Sequence, residues 1–338
     1  MTTQLLNTLF VQTQGAYLRL ENDTVRVEID GEKRLKVPLH HLGGFALFGN
    51  VLISPYLISQ CALDGRDVVW YSRTGRFRAR LNGPTSGNVL LRCAQHAAQV
   101  DSAATLELAR QFVLGKVRTT RGVLQRALRD GDDDADIAAA IEAQRTAIVQ
   151  LQGADTIETV RGAEGQAAVY FSVFDRLIRV PDFAFSGRNR RPPRDPVNAL
   201  LSFLYTLLRQ DCAAALEGVG LDPQVGYLHV LRPGRPALAL DLMEEFRSWW
   251  ADRLALTLIN RRQISAKDFE NRPGGAVHLS EDGRKEVITS YQKRKQETIR
   301  HRLFKEPVPV GLLPLIQARL LARHLRGDLD HYPTFRAR

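Results

Sequence analysis

Ala16-Tyr17-Leu18-Arg19-Leu20, Val25-Arg26-Val27-Glu28-Ile29 and Arg34-Leu35-Lys36-Val37 alternate apolar with polar residues. That is the two-residue period of strands that bury one face and wet the other. Asn22-Asp23 and Asp30-Gly31 separate them, and such pairs tolerate the left-handed backbone of a tight turn. The pattern predicts an antiparallel sheet. Residues 39–48 and 51–58 are more continuously apolar, so at least one of them is expected as a buried strand or a short helix. Val68-Val69-Trp70-Tyr71-Ser72 reads as a further strand, and Gly83-Pro84 breaks the pattern.

From about residue 88 the period lengthens to that of a helix. Leu106, Ala109, Val113 and Val117 fall three and four apart, on one face. Asp130-Gly131-Asp132-Asp133-Asp134 ends that helix and reads as a solvated helix–helix turn, because the spaced ligands and terminal Glu of a calcium loop are missing. A helix capped by Asp155, with Glu158 reaching back, is expected to run through Glu164 to about Ile178. Residues 184–194 hold Arg188, Arg190, Arg191 and Arg194 with Pro192-Pro193 and no acid, the composition of a mobile basic loop. Asp195-Pro196 then supplies an N-cap and a first-turn proline for a helix to about Glu217, closed by Gly218. The expected fold class is α+β: an N-terminal antiparallel β domain over 1–84 and a larger all-α domain over 85–338.

The 338 residues carry 47 Lys and Arg against 37 Asp and Glu, a formal charge of +10. That excess favours a polyanionic partner or an anionic membrane surface. No stretch of 18 apolar residues exists to span a bilayer, and no basic segment followed by an apolar run opens the chain, so a cytoplasmic protein is expected. Most of the cations are Arg, whose planar fork suits phosphate better than the ammonium of Lys. Cys61, Cys93 and Cys212 have no metal-ligand spacing, and their odd count argues against a disulfide framework.

Three acids and a histidine stand out. Glu164 lies mid-helix in Arg161-Gly162-Ala163-Glu164-Gly165. Each glycine costs a helix interior about 1 kcal/mol relative to alanine, so the flanking pair needs a reason. Either another helix packs closely there, or a phosphate backbone approaches the carboxylate. His229 closes the apolar run Val225-Gly226-Tyr227-Leu228-His229, as a satisfied structural residue or as a ligand. Asp241 and Glu244 sit three apart on a helix expected to continue through Trp249 and Trp250 to Leu258. On one helix face two carboxylates repel unless a cation joins them. Glu245 lies about 100° further round, where solvent or an Arg would meet it. Carboxylates with an imidazole suit Mn2+ or Mg2+; the closed Cys and His shells of structural zinc cannot be built here.

At these residues the sequence resembles the CRISPR-associated integrase of spacer acquisition, the larger subunit of the adaptation complex, often called an endonuclease. The matching motifs are Arg161 to Gly165, Gly226-Tyr227-Leu228-His229, and Asp241-Leu242-Met243-Glu244-Glu245-Phe246-Arg247. Arg232-Pro233-Gly234-Arg235-Pro236-Ala237-Leu238 between the last two is also family-like. Asn189-Arg190-Arg191-Pro192-Pro193 followed by Asp195-Pro196-Val197-Asn198-Ala199-Leu200-Leu201 resembles a type I-C-like subgroup. The resemblance implies a β domain for dimerisation and partner contact, and a helical catalytic domain. It also implies a homodimer that assembles with a small ferredoxin-like partner into a heterohexamer on double-stranded DNA. By motif matching, Glu164, His229 and Glu244 are metal ligands and Asp241 a second acid beside them. Many relatives have Asp where this chain has Glu244. The implied reaction is attack of a fragment's 3′-hydroxyl on a phosphodiester at the CRISPR repeat end, with Mg2+ or Mn2+ as cofactor.

Residues 281–338 hold 13 Lys or Arg against 7 Asp or Glu, and Arg284, Lys285, Lys293, Arg294, Lys295, Arg300 and Arg302 gather along one predicted helix. With Arg188, Arg190, Arg191 and Arg194 they are the expected phosphate-tracking surface; no base-reading motif is present. Two rival functions share these residues. One is a metal-dependent endonuclease on branched DNA. The other is a noncatalytic DNA-binding scaffold whose acids only cap and bridge helices.

Overall fold

The computed structural model describes residues 5–83, 89–131 and 133–336. The expected domain boundary at 84/85 and Asp132 of the acidic turn lie outside them. The chain divides into two compact units. One holds the chain up to residue 86 together with Leu279–Glu297 and Pro309–Gly311, and the other holds the rest.

The first unit contains β1 (Asn7–Val11), β2 (Tyr17–Glu21), β3 (Thr24–Ile29), β4 (Glu32–Pro38), β5 (Leu42–Phe48), β6 (Leu52–Ile53), α1 (Pro55–Asp64), β7 (Asp67–Tyr71) and β8 (Phe77–Arg80). β4-β3-β2-β6 form one sheet and β1-β5-β7-β8 another. The alternating stretches pair antiparallel as expected, β2 with β3 and β3 with β4. The second sheet corrects the expectation of an antiparallel domain, because β5 pairs parallel with both β1 and β7. Residues Phe45 to Phe48 are buried in succession, the signature of a strand covered on both faces. Parallel return from β5 to β7 needs a crossover, and β6 with α1 supplies it. Ser54 caps α1 and Gly65, in the left-handed region, ends it. Leu18, Val25, Phe45, Leu47, Leu57, Cys61 and Val68 share one core.

The second unit is mostly helical: α2 (Val89–Val100), α3 (Ser102–Asp130), α4 (Ala135–Gln152), α5 (Ile157–Ala167), α6 (Pro196–Gly218), α7 (Ala237–Glu244) and α8 (Arg253–Asn260). The hairpin of β9 (Phe269–Arg272) and β10 (Ala276–Leu279) follows. Beyond it lie α9 (Glu281–Gln296), the hairpin of β11 (Thr298–Arg300) and β12 (Pro307–Pro309), and α10 (Leu313–Leu325). Two hairpins therefore interrupt what was expected to be all helix. The basic helix α9 groups with the first unit, not with the helical one. It also stops at Gln296, so Arg300 and Arg302 lie beyond it.

Asp134 caps α4 through the amides of Asp136 and Ile137, which makes the acidic cluster the turn that was expected. Thr156, rather than Asp155, caps α5 by accepting from the Thr159 amide. That helix ends at Ala167 and passes into two short 3-10 turns. Asp195 caps α6 with Pro196 in its first turn. The helix expected from Asp241 to Leu258 is not continuous, since a widened π-helical stretch, Arg247–Asp252, separates α7 from α8. Such widenings recur at functional sites because they re-aim side chains. Among the described residues no helix is long and apolar enough to cross a membrane.

Candidate active site

α3 runs through the middle of the second unit and contributes a residue that the sequence reading missed. The Lys116 ammonium lies 2.6 Å from Glu164 Oε1 on α5 and 3.1 Å from Glu244 Oε2 on α7. Three helices thus deliver two carboxylates to one cation. Burial works against the charge on Lys116, but Glu244 and Glu164 outweigh it and raise its pKa above the ordinary value. Burial alone would lift Glu244 as well; Lys116, then Arg247 and His229, overcome that and hold its carboxyl at about 2. Glu244 is 3% exposed, so an ionised carboxylate is kept inside the fold by its cationic neighbours. Arg247, on the π-helical stretch, donates to Glu244 Oε1 at 2.9 Å. Its guanidinium stacks 4.4 Å from the Tyr205 ring centre, and the Tyr205 hydroxyl donates to buried Asp252 at 2.5 Å. Lys116 falls three residues after Val113 and seven after Ala109, on the apolar stripe itself. A charge there was the legible sign.

His229 sits on the loop before α7 and owes its position to Asp241. One Asp241 oxygen accepts from the amides of Tyr227 and Leu228 at 2.7 and 3.1 Å. The other meets the His229 amide at 3.0 Å and His229 Nδ1 at 2.6 Å. A carboxylate facing Nδ1 places the ring proton there and leaves the lone pair on Nε2. Asp241 is wholly buried, and both its oxygens are engaged by the 227–229 segment, so it holds His229 in place. Buried Gln95 fastens the loop from α2, donating to the carbonyls of Asp222 and Val225 and accepting from the Asp222 amide. Gly226 lets the loop lie on α7, since a Cβ there would stand 2.7 Å from both the Ala237 carbonyl carbon and Asp241 Oδ2.

The glycines around Glu164 are not there for packing. A Cβ at Gly162 or Gly165 would meet no atom within 4 Å, which removes the close-helix reading and leaves an open approach. Glu245 is also corrected. It faces neither solvent nor an Arg but is fully buried, accepting from the Tyr332 hydroxyl at 2.5 Å, the Phe335 amide at 2.6 Å and Gln317 at 3.0 Å. Burial pushes its carboxyl up to about 7, against the pull of those donors.

The expected metal set is only partly assembled. Glu164 and Glu244 meet at one ammonium, with His229 near enough to lower the Glu244 pKa. Among the described residues, no three His, Cys, Asp or Glu are grouped as a metal-binding set. The donor chemistry nonetheless suits a hard divalent cation. Glu244 Oε2 is buried and aligned with no hydrogen-bond donor, although Lys116 stands at ion-pair distance.

The expected DNA-contacting residues divide. Arg190, Arg191 and Arg194 are exposed. Arg188 is turned inward over the rings of Phe171 and Tyr205 and bonds Asn198. Hydrogen bonds tie the loop to the start of α6 and to itself: buried Asn198 donates to the Gly187 carbonyl and accepts from the Asn189 amide, while Asn189 accepts from the Arg194 amide. On α9, Lys285 and Lys293 are exposed and Arg294 is half-buried. Arg284 and Lys295 are buried, Arg284 donating to the Leu279 carbonyl.

Fold and cluster together define a class, the two-unit α+β enzymes whose helical unit gathers acids and a histidine from distant segments. The family model for CRISPR associated protein Cas1 matches residues 9–293, and the chain belongs to that family. A CRISPR-associated endonuclease Cas1 of Moorella thermoacetica is 53% identical over 98% of each chain. One from Rhodospirillum rubrum is 51% identical, again over 98% of both. Among solved structures, a CAS1 protein from Thermotoga maritima has TM-score 0.80 at 22% identity, covering 98% of this chain and 100% of that one. A casposase bound to integration product has TM-score 0.84 at 22% identity, covering 96% and 92%. At those identities the likeness is one of fold. The expected class of enzyme, an endonuclease or integrase, is the class these names carry.

Proposed function

We propose that the chain is the DNA-joining subunit of CRISPR adaptation, inserting short duplex fragments into the repeat array. The observation that carries this reading is the Glu164–Lys116–Glu244 cluster, with Glu244 buried and Glu164 and Lys116 half-buried, open beside Gly162 and Gly165. In the proposed reaction the 3′-oxygen of the fragment forms a bond to a repeat phosphorus. The repeat's own bridging oxygen departs, and the hydroxyl proton leaves to solvent. Lys116 and Arg247 hold positive charge where the phosphoryl oxygens gain negative charge, and such preorganised charge is the main requirement of phosphoryl transfer. Glu164, His229 and Glu244 would hold a Mg2+ or Mn2+ ion. When bound, that ion neutralises the nonbridging and leaving oxygens. His229 presents Nε2 because Asp241 engages Nδ1.

The relatives' names extend the reading to partners. A fold neighbour is a Cas6-RT-Cas1–Cas2 complex, in keeping with a homodimer that joins a small ferredoxin-like partner in a heterohexamer. The exposed Arg190, Arg191, Arg194, Lys285 and Lys293 would track phosphate, and the Arg188-to-Asn198 stretch fits the type I-C-like subgroup. The β unit would carry dimer and partner contacts, and a cytoplasmic location suits a chromosomal target. The test gives purified protein and partner a supercoiled repeat plasmid and a short duplex, and scores covalent joining. Glu164→Ala, His229→Ala and Glu244→Ala are each expected to abolish joining with DNA binding retained, and a fragment blocked at its 3′ end to join nothing. Normal joining by all three variants would overturn the assignment.

A further inference from the structure

On the far side of α3 from Lys116 lies a basin of about 720 Å3 that the proposed chemistry does not use. Arg118, Arg121, Arg126 and Arg129 of α3 line it, and Arg253, Arg302 and Arg336 approach from three other segments. Each helical residue advances 100°, so Arg118 stands about 200° round the helix from Lys116. Seven guanidinium groups share the space with one acid, Glu142, and that acid pairs with Arg145 at 3.3 Å. Arg126 has Asp130 at 3.4 Å. Burial, then Arg336 and Arg302, lowers the Arg118 pKa.

Gly122 lines the same basin, and a Cβ there would meet no atom within 4 Å. A glycine inside a long helix costs about 1 kcal/mol relative to alanine, and no packed neighbour accounts for it. What it provides is bare helix backbone on the floor of an arginine-lined trough. Trp249, the one aromatic residue of the lining, is buried. Strands that bind by their bases need exposed stacking platforms, and this basin offers none. Arg118 to Arg129 spans roughly 16 Å of helix, the length over which one strand of a duplex presents about five phosphates.

We propose that this basin is a second DNA-contact surface, seating the phosphate backbone of a duplex segment away from the reacting phosphodiester. It rests on the reading of the chain as a DNA-joining enzyme, and it places a larger share of the phosphate contacts on α3 than on the basic helix α9. The full-length protein is titrated with a 30-base-pair duplex by fluorescence anisotropy, in EDTA, at several KCl concentrations. Each lost phosphate contact removes about 0.9 from the slope of log affinity against log salt. Arg118→Gln with Arg129→Gln and Arg302→Gln is expected to flatten that slope by about 2–3 and to weaken binding at 100 mM KCl at least tenfold. The matching Lys triple keeps the slope. Should the Gln triple not fold, Arg302→Gln with Arg336→Gln, both at exposed positions, reads the same quantity with a change of about 1–2. An unchanged slope in a folded variant overturns the proposal. So does an unchanged duplex slope with lost binding of inorganic tripolyphosphate, which would make the basin a small-anion pocket. If the wild-type protein joins DNA and the slope does not move, only this inference fails; if it neither binds nor joins DNA, the functional reading fails.

Discussion

Glu244 and Glu245 carry the same carboxyl group one residue apart, yet one is held at about 2 and the other pushed up to about 7. Burial acts on both; what differs is the company. Glu244 has an ammonium and a guanidinium, whereas Glu245 has only neutral donors, and in a dry site a neutral donor offsets less desolvation than a cation does. Glu245 therefore keeps its proton in the fold up to about 7 but yields it near 4.5 once unfolded. Its share of stability is full below 4.5 and is lost as pH rises through 7. Asp252, pushed up to about 6, acts in the same direction. The melting temperature is expected to fall between pH 5 and pH 8, and less steeply in Glu245→Gln. Parallel curves for the two proteins would remove Glu245 as the cause. The surroundings of Glu245 were not legible in the sequence, because Tyr332, Phe335 and Gln317 are more than seventy residues away. Lys116 could have been found, as a charge on an apolar stripe.

Elements were read well where a local rule decides and poorly where packing does. Alternation located β2, β3 and β4, and Asp-Pro located the start of α6. Continuous apolar runs over 39–48 and 51–58 left a buried strand or a short helix open and did not show that the neighbours of β5 are parallel, which depends on the α1 crossover. The π-helical break after α7 has no proline or glycine to announce it. It follows from contacts that Glu244, Glu245 and Arg247 make on different sides. The loop before α7 yields a sharp expectation. Gly226→Ala would drive a methyl into Ala237 and Asp241, so the loop must lift and His229 lose its partner. Joining is expected to fall at least tenfold, on the scale of losing one oriented group, with faster hydrogen exchange at the Tyr227 and His229 amides. Unchanged exchange there would mean that the loop has room to spare.

For the whole molecule, the return of α9 to the first unit was invisible to any window shorter than the chain. Charge counting saw a basic terminus and could not see that Arg284 and Lys295 are buried. The division into units makes a prediction about ligands. A cation bound by Glu164, His229 and Glu244 stabilises only what holds it, by an amount set by its concentration over its dissociation constant. Mn2+ added to protein stripped by EDTA is expected to slow amide exchange in α3, α5, α7 and the 226–229 loop, with β1 to β8 unaffected. Uniform protection, or none, would count against a site built within the helical unit.

The grip of Glu245 on Tyr332 and Phe335 sets a rule for engineering. A fluorescent or affinity fusion appended after residue 338 hangs from a segment whose anchor is the backbone neighbour of Glu244. A short, taut linker that prises out the Tyr332 ring would strand a bare carboxylate in the interior. The injury would register as lost joining, with the residues of the Glu164–Lys116–Glu244 cluster themselves unchanged. Such fusions belong at the other end of the chain, or behind a long, slack tether.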